Sequence, residues 1–316
     1  MSFESTAERL PLVSPIVCPE CHGSLDHHEA GADCQSCSAT YPVLDGGYLN
    51  LMPRSSTIAI VPSDDYLADQ IDRGAERAER WLARQLRQDD RNALDIGCGT
   101  GSIGKVIVEL FPTIDVWGVD LPSNLSGWQS AGVDPGRVVA GSALDLPFES
   151  NMFDLVWSIG VIEHIGEPDP PAARMSDRMR YISEMMRVLR PGGRAIIVAP
   201  NKLFPVDPAH DWSTTPFDWS ATAFGHRLYE RAHLYPHATW GPHPLMSFAE
   251  VRRMARTAGA CKIRSLNMAN YFEFAHVGAA RAGWLVPAAR LYLNHLPGWL
   301  GATPLAPYLA VELTCA

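Results

Sequence analysis

The stretch Ala93-Leu-Asp-Ile-Gly-Cys-Gly-Thr-Gly-Ser-Ile-Gly104 reads as a short buried strand, a glycine turn and the start of a helix. Gly97, Gly99 and Gly101 remove Cβ atoms where the backbone must turn sharply and approach a ligand, and the helix that follows points its N-terminus at the same place. Taken alone, the loop has two readings. Gly99, Gly101 and Gly104 spell the G-x-G-x-x-G dinucleotide fingerprint, and Asp120 lies at a suitable distance for a ribose contact.

Charge separates the readings. Asp95 stands two residues before Gly97 at the mouth of the turn, where it would repel a pyrophosphate. S-adenosylmethionine (SAM) has no phosphate and carries a sulfonium and an ammonium, so a carboxylate at this position attracts it. The run Asp115-Val-Trp-Gly-Val119 is β-rich and ends in Asp120, which puts a second carboxylate at the carboxyl edge of the expected sheet. Such a group accepts from both ribose hydroxyls and therefore specifies a nucleoside without specifying which.

The chain has 316 residues, 47% of them hydrophobic and 19% charged, with a formal charge of -9. That is the composition of a globular protein with room for one large unit and a small one. No apolar run is long enough to span a bilayer, and the first fifteen residues lack the apolar stretch of a signal peptide, so a cytoplasmic location is expected. Residues 1–55 carry seven acids against two bases and no lysine. No segment has the clustered basic footprint of a nucleic-acid binder, which weighs against such a partner.

Cys18-Pro-Glu-Cys21 and Cys34-Gln-Ser-Cys37 are two C-x2-C pairs separated by twelve residues. Four thiolates at this spacing suit one tetrahedral zinc ion, and a segment so short needs such a cross-link to fold. His22, His27 and His28 are nearby but surplus to a closed shell, and are expected in solvent. With Tyr41 to Pro53 this segment resembles the zinc ribbons of small methyltransferase-activator proteins and the N-terminal finger of bacterial ribosomal guanine methyltransferases.

The expected organisation is a zinc ribbon over 1–55, a linker over 56–73 and a large domain over 74–316 that includes a lid over 201–246. A helix is expected from Gly74 to Gln88, with Ala75, Ala78, Trp81, Leu82 and Leu86 on one face. Strands follow at Arg137–Ala140 and Phe153–Ser158, and a methionine-rich helix from Met175 to Arg187 leads into a strand over Gly193–Ala199. A helix over Ser247–Ala258 and strands at Cys261–Met268 and Tyr308–Thr314 complete the core. The insertion after the fifth strand holds five histidines and several large aromatics, which suits a water-excluding roof. The apolar run from Val277 to Leu300 is expected to pack on the core or the lid, with peripheral contact of Trp284, Leu285, Leu291, Leu293, Leu296 and Trp299 with a membrane surface as the alternative.

With the glycine loop, Asp120, Gly141-Ser-Ala-Leu-Asp-Leu-Pro-Phe148, Phe153 to Ser158 and the Leu189-Arg-Pro-Gly-Gly-Arg194 turn in order, the segment from about Asn92 to Asn201 resembles class I SAM-dependent methyltransferases of the small-molecule type. The resemblance implies an α/β Rossmann-like sheet of seven strands with the last antiparallel. It also implies a cofactor site of Asp95, Gly97, Cys98, Gly99, Thr100, Gly101, Asp120, Leu121, Ser142, Ala143, Leu144, Ser158 and Ile159. The family has an acid where Ser142 stands, and a hydroxyl can accept the same bond from the adenine amino group.

Methylation of an exocyclic amine in this superfamily goes with an Asn or Asp, two prolines and an aromatic after strand four. This chain has Ser158-Ile-Gly-Val161, which favours an oxygen, carbon or ring-nitrogen acceptor. The expected activity is O-methylation of a small molecule, lipid or saccharide, with His164 or His210, the latter beside Asp211, removing the acceptor proton. A ribosomal RNA methyltransferase and a non-catalytic SAM-binding scaffold are the alternatives.

Overall fold

The computed structural model of the chain describes residues 15–54, 64–166, 169–204, 245–272 and 286–315. Near the N-terminus three short antiparallel strands, β1 (Leu25–His28), β2 (Gly31–Cys34) and β3 (Thr40–Pro42), form a sheet in the order β1-β2-β3. Strands this short have little apolar surface to bury by themselves. Their turns are built on the two cysteine pairs instead: the His22 N–H bonds to the Cys18 carbonyl at 2.8 Å and the Ser38 N–H to that of Cys34 at 3.1 Å.

The next strand, β4 (Leu49–Leu51), leaves this unit and joins the large sheet. That sheet also contains β5 (Asn92–Ile96), β6 (Asp115–Asp120), β7 (Val138–Gly141), β8 (Phe153–Ile159), β9 (Leu189–Pro200), β10 (Lys262–Ser265) and β11 (Tyr308–Thr314). Its order is β10-β11-β9-β8-β5-β6-β7-β4, parallel from β4 to β9, with β11 antiparallel to both β9 and β10. The seven expected strands are present with the last one reversed, and β4 makes an eighth. Leu49 pairs with Val139 and Leu51 with Gly141, so the N-terminal unit covers what would otherwise be an exposed strand edge.

The helices are α1 (Asp64–Arg80), α2 (Ser102–Leu110), α3 (Leu125–Ala131), α4 (Pro171–Val188), α5 (Phe248–Thr257) and α6 (Val286–His295). The first corrects the sequence reading: α1 begins at Asp64, within the expected linker, and the chain tightens into a 3-10 turn at Leu82–Gln85 where helix was expected to continue to Gln88. Gly74 is no boundary. A Cβ there would lie 2.2 Å from the Ser102 hydroxyl, so the glycine sits inside α1 because α1 and α2 cross closely at that point.

Side chains alternate along β5 between two cores. Leu94 and Ile96 join Trp117, Val156, Ile197 and the α4 residues Tyr181, Ile182 and Met185, and the same cluster takes in Cys18, Tyr41 and Leu51 from the N-terminal unit. Ala93 faces the other way, with Trp157, Ile196, Trp81 of the α1 end and Ile107 of α2. The methionine stripe of α4 and Trp81 are therefore core, as expected. The N-terminal unit shares the main core, so packing is continuous across the boundary expected near residue 55.

The ends of the insertion after β9 are drawn together. Asn201 pairs with Met246 in a parallel bridge, and Lys202 reaches Glu250 at 2.8 Å. The Asn201 amide donates to the carbonyls of Thr303 and Ala306 at 2.9 and 2.7 Å. Ser247 and Glu250 cap α5 reciprocally, which fixes where the chain re-enters the fold. Of the apolar run ending at Leu300, Leu293 packs inward, whereas Leu291 and Trp299 are exposed. Among the described residues no helix is long and apolar enough to cross a membrane.

Candidate active site

The glycine loop sits between β5 and α2 at the carboxyl edge of the sheet, where open α/β sheets bind ligands. Gly97, Gly99 and Gly101 have φ of 72, 55 and 75°, a region that side chains other than glycine rarely enter. A Cβ on Gly97 would lie 2.2 Å from Val161, whereas one on Gly99 would meet nothing within 4 Å. The first glycine thus lets the loop pack against the segment after β8, and the second leaves open space above the backbone.

Gly99 is held from both sides of its residue. Its N–H donates to Oδ2 of Asp120 at 2.6 Å, and its carbonyl accepts from the indole of Trp128 at 2.7 Å. The second Asp120 oxygen accepts from the Leu121 N–H at 2.7 Å. Each carboxylate oxygen keeps a further lone pair, so Asp120 can fix the loop and still accept from a ligand hydroxyl. Burial pushes its carboxyl up to about 6, against the pull of the Gly99 and Leu121 N–H groups.

Asp95 is buried on β5, and no cation among the described residues pairs with it. Burial raises its carboxyl to about 7, the Trp157 indole favours the charged form, and the negative charge of Asp120 opposes it. Neither Oδ2 of Asp95 nor the Trp157 indole nitrogen completes a hydrogen bond. Two acids held above the ordinary carboxylate range beside an open glycine loop make a site that gains most from a cation.

The remaining cofactor candidates follow the carboxyl edge. The Ser158 hydroxyl donates to the Ile96 carbonyl at 2.8 Å, tying the end of β8 to β5, and Ile159 closes β8. Ser142 follows β7, and its hydroxyl accepts from the Leu144 N–H at 3.1 Å, so Ser142, Ala143 and Leu144 form one tight turn. Cys98 and Thr100 are buried within the loop. A cavity of about 310 Å³ also reaches Asp95, Cys98 and Gly101, but it runs along α2 to Asp115 and Arg137 at the opposite edge. Its walls include neither Asp120 nor Ser142, so it shares only Asp95, Cys98 and Gly101 with the carboxyl-edge candidates.

His164 lies exposed in the turn after β8, three residues beyond the Val161 that abuts Gly97. The buried Arg178 of α4 donates to the carbonyls of Glu163 at 3.0 Å and Ile165 at 3.3 Å, one on either side of His164. Sequence reasoning missed Arg178, since an arginine on a helix ordinarily reads as solvated. It missed Trp128 as well, which sits in a seven-residue helix with too few turns to display a pattern. His210 and Asp211 fall outside the described residues, as does most of the expected lid.

The four cysteine sulfurs lie within 4.8 Å of one another, with Cys18 and Cys37 3.6 Å apart and Cys21 and Cys34 3.4 Å apart. Ligands of one tetrahedral zinc stand roughly 3.8 Å from each other, so the donor set and its spacing fit that ion. Burial opposes ionisation of Cys34, but the N–H groups of Cys37 and Ser36 outweigh it and bring the thiol down to about 6. His22, His27 and His28 are exposed and do not belong to the cluster.

The architecture is that of a Rossmann-like methyltransferase sheet. Residues 94–197, about a third of the chain, match the family model described as a methyltransferase domain. A tocopherol O-methyltransferase of Arabidopsis thaliana chloroplasts is 34% identical over 115 residues, covering 34% of this chain and 30% of that protein. A demethylmenaquinone methyltransferase of Staphylococcus aureus (strain JH9) is 27% identical over 215 residues, 64% of this chain and 83% of that protein. The chain thus spans under a third of the first relative's length and most of the second's. Among solved structures, a chain from the complex of the Haloferax volcanii Trm112 methyltransferase activator with a methyltransferase has a TM-score of 0.49 at 18% identity, covering 80% of this chain and 94% of that one.

Proposed function

We propose that the carboxyl-edge site binds SAM and that the protein transfers its methyl group to an oxygen of a small-molecule acceptor, lipids and saccharides included. The observation that carries this reading is the Asp95 carboxylate, which is buried beside an open glycine loop and has, among the described residues, no cation and no partner for Oδ2. A ligand with a sulfonium and an ammonium relieves that charge, and a pyrophosphate would worsen it. Relatives named for tocopherol and demethylmenaquinone support a small-molecule acceptor. The acidic, lysine-free N-terminal unit favours RNA less.

When bound, SAM supplies a methyl group already activated for in-line displacement. Alignment is the protein's share. Asp120 and the Gly99 loop would orient the nucleoside and Ser142 to Leu144 would border the adenine, while Ser158 and Ile159 close the edge next to the turn that carries His164. The two carbonyl bonds from Arg178 fix the backbone around His164, which takes the acceptor proton as the new bond forms. His210, with Asp211, is the second candidate for that step. The four thiolates hold one structural zinc.

Titration calorimetry tests the cofactor: SAM binds with 1:1 stoichiometry and NAD does not, and the reverse preference overturns the reading. Transfer of radiolabelled methyl to fractionated extract then reports the acceptor, with label in the small-molecule or lipid fraction expected, and label in RNA favouring the ribosomal alternative. Bound SAM without transfer to any fraction would point to a non-catalytic scaffold. Metal analysis should give one zinc per chain, lost in Cys21→Ser; a parent chain without stoichiometric zinc overturns the assignment.

A further inference from the structure

The turn that leads into β4 places an aromatic ring deep in the large domain. Leu44 and Tyr48 close it through a 2.7 Å backbone bond, and Gly46 and Gly47 supply the positive φ values, 85 and 88°, that so tight a reversal needs. Tyr48 is buried. Its ring centroid lies 5.2 Å from that of Trp128 at an interplanar angle of 46°, and its hydroxyl donates to the Val133 carbonyl at 2.8 Å. The side-chain amide of Gln129 holds the same turn, donating to the Asp45 carbonyl at 3.1 Å.

Both partners of Tyr48 touch the glycine loop. The Trp128 indole donates to the Gly99 carbonyl at 2.7 Å. The Val133 side chain packs so closely under Gly101 that a Cβ there would stand 2.8 Å from it. Tyr48 therefore meets the loop along two short routes, one through a ring and a hydrogen bond, the other through a backbone carbonyl and a methyl group.

A loop of glycines in left-handed conformations has more freedom to lose on binding than ordinary backbone, so its affinity depends on what holds it beforehand. We propose that Tyr48, carried by the N-terminal cysteine unit, is a positioning residue for the cofactor loop, acting through Trp128 on Gly99 and through Val133 on Gly101. The inference rests on the reading of that loop as the SAM site. It gives the cysteine unit a role beyond covering a strand edge: with its thiols cross-linked by metal, the unit holds β4 and Tyr48 in register, and the loop is preorganised. Linkage makes the effect reciprocal, so saturating SAM should raise the equilibrium affinity of the cysteine unit for its metal, measured by competition with a chelator.

The test uses the full chain and two conservative variants. Tyr48→Phe keeps the ring and removes the bond to Val133; Trp128→Phe keeps an aromatic and removes the bond to Gly99. By calorimetry, SAM binding is expected to weaken about threefold in the first and about five- to tenfold in the second, the scale of one buried hydrogen bond. Tyr48→Ala should weaken it further, with Phe at the same position restoring part of the loss.

Hydrogen exchange across residues 97–101, followed without SAM, provides a readout that loss of global stability alone would not single out. Faster exchange there, with the β8 and β9 amides unchanged, is expected. A parent chain that binds no SAM overturns both the cofactor reading and this inference. A parent that binds SAM, with Phe variants that match it in affinity and in loop exchange, overturns this inference alone.

Discussion

The two edges of the large sheet treat buried charge in opposite ways. At the amino edge, Asp90 receives both terminal nitrogens of Arg194 at 2.6 and 2.7 Å, and Arg194 also reaches the Gln85 carbonyl at 2.6 Å. Burial would raise the Asp90 carboxyl, but Arg194 and the Arg87 N–H pull it below its usual value. Asp154 accepts from the N–H groups of Arg91 and Asn92 at 2.6 and 2.7 Å, and Arg190 closes its other oxygen. At the carboxyl edge, Asp95 and Asp120 have no cation partner among the described residues, and burial raises both carboxyls. Charges that arrive with partners hold the fold together, and those that lack them await a ligand.

Breaking the satisfied edge should cost the most. Asp90→Ala strips the buried Arg194 guanidinium of its two short carboxylate bonds and leaves it Glu312, 3.8 Å from Nε, so urea unfolding should record a loss of roughly 3 kcal/mol. SAM affinity per folded molecule should stay at the parental value, since Asp90 lies at the far end of β5. If affinity fell with stability, the two edges would not be separable.

At the other edge His164→Asn should lower turnover by roughly a hundredfold at neutral pH once an acceptor is in hand, with SAM affinity and melting temperature kept. Parental turnover in this variant would move the proton acceptor to His210.

Asp95→Asn reverses the Asp90 result. It should weaken SAM binding by about tenfold, since one of the two carboxylates facing the cofactor charge is gone, while chain stability at pH 8 holds or rises. The sign follows from linkage. With a carboxyl near 7 in the folded chain and the ordinary value of 3.8 when unfolded, the folded state keeps a proton that the unfolded chain has lost. Its contribution to stability is therefore full below about pH 4 and is lost as pH rises through 7.

The smallest effect is the pH dependence of affinity itself. SAM binding should tighten between about pH 6 and pH 8, as Asp120 and then Asp95 ionise, and level off above. Asp95→Asn should keep only the lower part of that rise. A flat profile in the parent would mean that neither acid meets the cofactor charge.

Much of this organisation was legible in the chain itself. Strand, glycine turn and helix occupy consecutive residues, so local pattern alone predicts the loop from Ala93 to Gly104, and Asp120 ends the next β-rich run. The paired cysteines announced their cluster by spacing. What stayed hidden depends on partners distant in sequence. The three residues of β4 are too few to show alternation, and their register is set by β7, nearly ninety residues later. Gly74 looked like a helix boundary because its reason, the approach of Ser102, lies on another helix. Tyr48, Trp128 and Arg178 act through backbone carbonyls, which any sequence provides at every position and which therefore leave no signature.

The pinched base of the segment after β9 has an evolutionary consequence. Asn201, Lys202, Met246 and Glu250 form a socket whose geometry is independent of what hangs from it. Once the two ends are tied, doubling the length of the intervening chain costs only about 0.6 kcal/mol in closure entropy. On the reading of residues 201–246 as a lid over the acceptor, exchange of that cassette would change acceptor preference while the sheet and the glycine loop keep their form. Grafting residues 205–244 from one such protein onto the socket of another, and measuring whether acceptor preference moves with the graft, would test that reading.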